Sequence, residues 1–134
     1  MKINNVVVIG SGTMGSGIAA HLCNAGIPVT LLDLKTEISR NARDKILKSR
    51  PPLLFDSSTI NKIQIGNISD DFDIVKKADW IVEAVVEKID IKHKIYDKIF
   101  KNKKDESIVS SNTSTIPLKV LSEKLSSKDK KDFC

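Results

Sequence analysis

Several features that would fix a protein class early are scarce in this sequence. Aromatic residues make up only 4% of the 134 residues, so Ile, Val and Leu must supply most of any core. Cysteine occurs twice, as Cys23 within a helical pattern and as Cys134, in no metal-ligand or redox spacing. That usage suits a reduced, cytoplasmic compartment. No apolar run approaches the ~18 residues of a membrane span, and the opening "MKINNVVVIG" is too short and too polar for a signal peptide. There is no internal repeat, low-complexity linker or second domain. One domain is expected, and a chain of this size can bury roughly two-thirds of its unfolded surface. The net charge of +5 hints at an anionic partner. The lysines, however, are spread over helical stretches, without aromatic interleaving or a nucleic-acid motif. No nucleic-acid partner is expected. The charge reads as solvated helix faces, with a phosphate-bearing ligand as the other account.

What is present is an alternation of strands and helices. Residues 3–9 read as a buried strand that ends at Gly10. Met14, Ile18, Ala19, Leu22 and Cys23 follow at helical spacing, and Gly26 is a helix stop. A second buried strand is predicted over 27–33. A polar helix follows over 37–49, with Ile38, Ala42, Ile46 and Leu47 as its apolar stripe, until Pro51 and Pro52 break it. Further strands are predicted at 63–67, 79–86 and 107–112. Short helices are predicted near 57–62 and 70–78. Longer ones are predicted at 90–100, with Ile91, Ile95, Ile99 and Phe100 inward, and at 116–125. Strands buried on both faces and alternating with helices specify an α/β, Rossmann-type doubly wound sheet, mostly parallel.

The strongest local motif is "VVVIGSGTMGSG", a strand, then Gly10, Gly12 and Gly15, then a helix. Gly10 suits the tight turn, Gly12 close approach to a pyrophosphate, and Gly15 close packing of helix on strand. Gly17 reads as a second close-packing position. The N–H groups near Thr13 to Gly15 would face phosphate oxygens. There is no G-K-[ST], which excludes the nucleoside-triphosphate loop. Asp33 ends the second strand 18 residues after Gly15, where an acid takes ribose hydroxyls and repels a 2′-phosphate. NAD is therefore the expected cofactor. The strand at 79–86 should lie beside the first. Glu83 within it is either a partnered structural carboxylate or a site group; Glu87 falls just past its end and Lys92 on the next helix. In "SSNTST", 110–115, Ser114 or Thr115 either caps the helix near Pro117 or lines a ligand loop. Trp80 reads as core, and His21 and His93 as surface or satisfied histidines.

Taken together, "GSGTMGSGIAAHLCNAG", "ADWIVEAVVEKIDIK" and "VSSNTSTIPL" resemble, in that order, the amino-terminal NAD-binding domain of the 3-hydroxyacyl-CoA dehydrogenase family, over nearly the whole chain. The resemblance implies that Gly10, Ser11, Gly12, Thr13, Met14 and Gly15 wrap the pyrophosphate and that Asp33 holds the adenosine ribose. It implies that Glu87 and Lys92 contact the nicotinamide half of NAD. Ser114 matches the serine near both the nicotinamide and the substrate 3-hydroxyl, and so is the candidate catalytic residue. Ser49 roughly matches a polar position near coenzyme A, although "RPPLLFDSSTINK" departs from better-known members. The implied reaction oxidises a (3S)-3-hydroxyacyl-CoA to the 3-oxoacyl-CoA in fatty-acid β-oxidation. The family's His-Phe-Phe-Asn-Pro motif, which holds the general base, and its helical second domain, which completes the acyl pocket, do not occur in the sequence. "KKDFC" resembles the first residues of the strand leading to that motif. The 134 residues alone are therefore expected to show little or no turnover. The strand at 107–112 is expected to present a bare edge prone to self-association. The alternatives are a non-catalytic NAD-binding module or remnant and a related NAD-dependent hydroxy-acid dehydrogenase fragment.

Overall fold

The computed structural model describes residues 2–134. Five parallel strands form one sheet: β1 (Val6–Ile9), β2 (Val29–Asp33), β3 (Ile63–Asn67), β4 (Trp80–Glu83) and β5 (Ile108–Ser111), in the order β3-β2-β1-β4-β5. The chain runs outward from β1 on one side, then returns to add β4 and β5 on the other. The reversal of direction lies between β1 and β4, so a crevice opens there at the carboxyl ends of the strands.

The strands face apolar layers on both sides. Along β1, Val6 and Val8 point into one cluster with Leu31, Ala19 and Ile46, while Val7 and Ile9 point into the other with Ile81, Ile99 and Val109. The first layer is covered by α1 (Thr13–Asn24) and α2 (Thr36–Lys48), the second by α3 (Ile89–Asn102), α4 (Leu118–Leu121) and the terminal segment with α5 (Ser127–Lys130). α1 stops where Gly26 takes φ +80°, with Gly26 N–H on the Cys23 carbonyl at 2.9 Å and Ile27 N–H on the Leu22 carbonyl at 3.0 Å.

Several expectations change. The stripe of α2 is Ser39, Ala42 and Ile46, while Ile38 and Leu47 stand 41% and 42% exposed. The Ser39 hydroxyl reaches the Gly66 carbonyl at 2.8 Å, which satisfies it on the buried face. In α3, Ile99 is buried and Ile95 and Phe100 pack against the same layer as expected, but Lys92, His93 and Tyr96 are buried too and Ile91 is left at the surface. The strand at 79–86 is only four residues long, because Glu83 folds its carboxylate back onto the Val85 N–H at 2.9 Å and the chain leaves the sheet. The helix at 116–125 shrinks to the single turn of α4, capped by Pro117 without a side-chain bond, so neither Ser114 nor Thr115 caps it. The edge of β5 is not bare. Phe133 bridges Val109 in parallel, with Cys134 N–H on the Val109 carbonyl and Ser111 N–H on the Cys134 carbonyl, both at 2.8 Å. Phe133 is held by its edge-on contact with Tyr96, at 5.0 Å between ring centroids.

Candidate functional site

At the carboxyl edge of the sheet each strand makes one more backbone bond as it leaves. Gly10 N–H reaches the Leu32 carbonyl, Ala84 N–H the Ile9 carbonyl and Asn112 N–H the Glu83 carbonyl, at 2.7–2.8 Å. These bonds set the loops after β1, β4 and β5 side by side.

The loop after β1 is shaped by its glycines. Gly10 has φ +105°, and a Cβ there would stand 2.4 Å from the Ala84 carbonyl oxygen. At Gly15 a Cβ would stand 1.8 Å from the Gly10 carbonyl oxygen. These two positions let α1 press against β1 and β4. A Cβ on Gly12 would meet no protein atom within 4 Å, so its backbone faces open space. Gly17 is also open, which removes its expected packing role. The first helical bond of α1 joins Ser16 N–H to the Gly12 carbonyl, and no side chain caps the helix. The N–H groups of Thr13, Met14 and Gly15 therefore have no helical acceptor and stand at the positive end of the helix. An accessible backbone with free donors and no side chain in the way fits a pyrophosphate.

Asp33 lies beside this loop. One carboxylate oxygen accepts from Ser11 N–H at 2.7 Å and from the Ser11 hydroxyl at 2.5 Å; the other accepts from Leu34 N–H at 2.7 Å. The carboxylate is thereby aimed, with acceptor capacity left over.

The loops after β4 and β5 are built differently. Glu83, Lys92 and Tyr96 are buried to 1% exposure or less. Glu83 accepts from Lys92 at 2.6 Å, from Val85 N–H at 2.9 Å, from the Ser111 hydroxyl at 2.8 Å and from the Tyr96 hydroxyl. It is a partnered carboxylate with no oxygen left for a ligand. Lys92 also pairs with Glu87 at 2.9 Å. The other Glu87 oxygen accepts from Thr113 at 2.8 Å and Thr115 at 2.9 Å. Lys92, then Thr113 and Thr115, hold the Glu87 carboxyl down to about 2. Burial, reinforced by Glu83, pushes the Tyr96 hydroxyl well above the usual phenol range, so it remains a donor. Ser114 lies between the two threonines and is exposed.

The structure thus gathers Gly10–Gly15, Asp33, Glu87, Lys92 and Ser114 along one edge. It leaves Ser49 out. Ser49 ends α2 about 20 Å along the helix from the strand end where α2 begins, and its hydroxyl bonds the Pro51 carbonyl. His21 is exposed on α1, and His93 places Nε2 3.0 Å from the Val120 carbonyl. Trp80 packs at the margin of the core and bonds Ser110. Tyr96, Ser111 and the Thr113–Glu87–Thr115 contacts were not read from the sequence. The available signal was the four-residue spacing of Lys92 and Tyr96, which places both on one face of a helix.

A family profile described as "3-hydroxyacyl-CoA dehydrogenase, NAD binding domain" matches residues 5–133. The chain belongs to this family. It is 42% identical over 125 residues to a Deinococcus radiodurans protein named "Probable 3-hydroxyacyl-CoA dehydrogenase", covering 88% of this chain and 36% of that one. It is 37% identical over 134 residues to the "Peroxisomal fatty acid beta-oxidation multifunctional protein AIM1" of Arabidopsis thaliana, covering 96% of this chain and 18% of the relative. Among solved structures, the 3-hydroxybutyryl-CoA dehydrogenase of Escherichia coli K12 superposes with a TM-score of 0.85 at 26% identity, covering 99% of this chain and 29% of that one. The chain spans little more than a third, or less, of the length of these relatives. What it carries is the NAD-binding domain of the family. No helix among the described residues is long and apolar enough to cross a membrane.

Proposed function

We propose that these residues form the NAD-binding part of an NAD-dependent dehydrogenase that oxidises a (3S)-3-hydroxyacyl-CoA to the 3-oxoacyl-CoA in fatty-acid β-oxidation. One observation carries the reading: the open Gly12 loop has Asp33 on one side and the Glu87–Lys92–Ser114 group on the other, along a single sheet edge. Bound NAD supplies the hydride acceptor. The N–H groups of Thr13 to Gly15 hold the pyrophosphate, and Ser11 keeps Asp33 turned toward the adenosine ribose. The Asp33 charge disfavours a 2′-phosphate. Met14, Leu34 and Val86, exposed at 59%, 73% and 58%, lie next in sequence to these groups and offer apolar surface to planar rings. Glu87 serves the nicotinamide half; Lys92, expected there too, has no exposed surface and acts only by holding Glu87, while Ser114 offers its hydroxyl to the 3-oxygen of the substrate. A substrate hydroxyl proton needs a base. Neither histidine is placed to be that base, since His21 is on the outside of α1 and His93 is bonded to Val120. The base and the acyl pocket belong to a part of the enzyme outside these residues. Absence of a base alone typically costs 10²–10⁴ in rate. The free thiols Cys23 and Cys134 support a reducing, cytoplasmic setting.

Calorimetric titration of the purified chain with NADH, NAD, NADP and ADP-ribose tests this. The expected result is binding of NADH, NAD and ADP-ribose, with NADP at least tenfold weaker and Asp33→Ala removing that preference. Absence of any nucleotide binding, or equal affinity for NADP, would overturn it. The chain alone is expected to show no NADH-dependent reduction of acetoacetyl-CoA, and clear turnover would sink the assignment of the base elsewhere.

A further inference from the structure

We propose that Thr113 and Thr115 are positioning residues, clamped on one carboxylate oxygen of Glu87 so that Ser114 between them is presented outward to the crevice. This rests on the reading of Ser114 and NAD given above, and assigns to Glu87 a task beyond contact with cofactor.

Four contacts pin the segment. Asn112 N–H bonds the Glu83 carbonyl at 2.8 Å, and the Ser111 hydroxyl bonds the Glu83 carboxylate at 2.8 Å. The Thr113 and Thr115 hydroxyls then converge on the same Glu87 oxygen, at 2.8 and 2.9 Å. The Thr113 hydroxyl also accepts from Ile116 N–H at 3.2 Å, so it is used in both directions. Ser114 lies between two tethered neighbours and is exposed, as is Thr115. Ser114 and Thr115 lie in a bend past the end of β5, and the two threonine tethers hold that bend against Glu87 with Ser114 at its surface.

The anchor is itself rigid. The second Glu87 oxygen is held by Lys92, whose side chain has no exposed surface and is gripped by Glu83 at 2.6 Å. Glu83 is fixed in turn by Tyr96, Ser111 and Val85. A chain of contacts thus runs from buried Glu83 and Lys92 through partly exposed Glu87 to the Ser114 loop. A serine that must meet both a nicotinamide and a hydroxyl needs its position settled before they arrive, because positional error of about 1 Å is costly in a reacting complex. The threonine pair supplies that settlement from side chains that need not touch the cofactor. The groups facing Glu87 are Lys92, Thr113 and Thr115, with Glu83 and Tyr96 next to Lys92; Lys92 lowers its carboxyl most and the threonines add to that, so loss of the pair removes part of the lowering.

The test compares the wild-type chain with Thr113→Val/Thr115→Val and with Thr113→Ser/Thr115→Ser. Two readouts need no nucleotide. The Glu87 carboxyl, followed by carbon NMR, should titrate near 2 in the wild type. It should move toward the ordinary carboxylate range in the valine pair and stay low in the serine pair. Fast amide motion at Ser114 should rise in the valine pair only. The third readout is a ratio of affinities: the valine pair should bind NADH about fivefold or more weakly while ADP-ribose, which has no nicotinamide, changes less than twofold. An unmoved Glu87 midpoint, an equally ordered Ser114, or equal losses for NADH and ADP-ribose would overturn the clamp. If the wild type binds neither nucleotide, the NAD reading fails on its own, and the clamp as a positioner of Ser114 is still decided by the first two readouts.

Discussion

The two sides of the crevice solve the same problem with different materials. On the β1–β2 side the site is made of backbone: glycines that remove side chains, uncapped N–H groups and one aspartate aimed by Ser11. On the β4–β5 side it is made of long side chains, with Lys92 between two carboxylates and Tyr96, Ser111, Thr113 and Thr115 filling the remaining bonds. A backbone site tolerates little added volume but holds no buried charge. A side-chain network tolerates shape changes at its rim but depends on every charged member. The difference says which changes should unfold the domain and which should only empty its site.

The largest effect is expected for Lys92→Met. It leaves Glu83 buried without its cation and strips Glu87 of its partner, at a cost of about 3–5 kcal/mol. Urea unfolding measures this, and a loss under 1 kcal/mol would mean that the network relaxes as freely as a surface one. Gly15→Ala comes next. Its Cβ would collide with the Gly10 backbone at 1.8 Å, so about 1–3 kcal/mol of stability should go, and nucleotide binding with it. Gly12→Ala separates the two properties on the same loop. With no protein atom within 4 Å of the new methyl, stability should stay within about 0.5 kcal/mol, while ADP-ribose binding falls tenfold or more. A Gly12→Ala protein that binds normally would remove the phosphate reading of the loop.

Acid should expose the side-chain half. Lys92, then the two threonines, lower Glu87 to about 2, and Lys104, then Asn4 N–H, lower Asp79 to about 2 at the opposite end of β4. Folded values below the unfolded ones mean that both groups stabilise the fold fully above the ordinary carboxylate range. That contribution is lost as pH falls from there toward 2. Stability followed from pH 6 to 2 should therefore decline mainly below pH 5, and Glu87→Gln should flatten the decline. A wild-type curve identical to that of Glu87→Gln would show that Glu87 gains nothing from its partners. The smallest effect is expected for Lys101→Ala. Its pair with Asp97 spans one helical turn at 2.9 Å with both side chains mostly exposed, and should contribute less than about 0.5 kcal/mol.

Legibility in the sequence follows the same division. β3 spans 63–67 as its local pattern indicates, and the glycine turn and Asp33 stand side by side at the ends of β1 and β2, as their spacing suggests. The faces of α2 and α3 follow their apolar stripes only in part: Ala42, Ile46, Ile95, Ile99 and Phe100 pack inward, while Ile38, Leu47 and Ile91 do not. In α3 a lysine is buried while Ile91 is at the surface, because Lys92 finds Glu83 across the sheet edge. Periodicity counts hydrophobicity and is blind to a charge with a partner. β4 is short for a local reason, the Glu83 carboxylate turned onto the Val85 N–H two residues on, which an apolar run does not register.

By itself, then, the sequence determined the alternation of strands and helices, the parallel class and the glycine turn. These depend on residues close in the chain and on what a missing Cβ permits. Only the tertiary structure decided that Glu83 is fully engaged, that Lys92 joins it to Glu87, that two threonines hold Glu87, and that Phe133 closes against Val109 at the sheet edge. The threonine and Phe133 contacts join residues brought together by strand order, and those of Lys92 depend on how α3 folds back onto the end of β4, which hydrophobic periodicity does not encode.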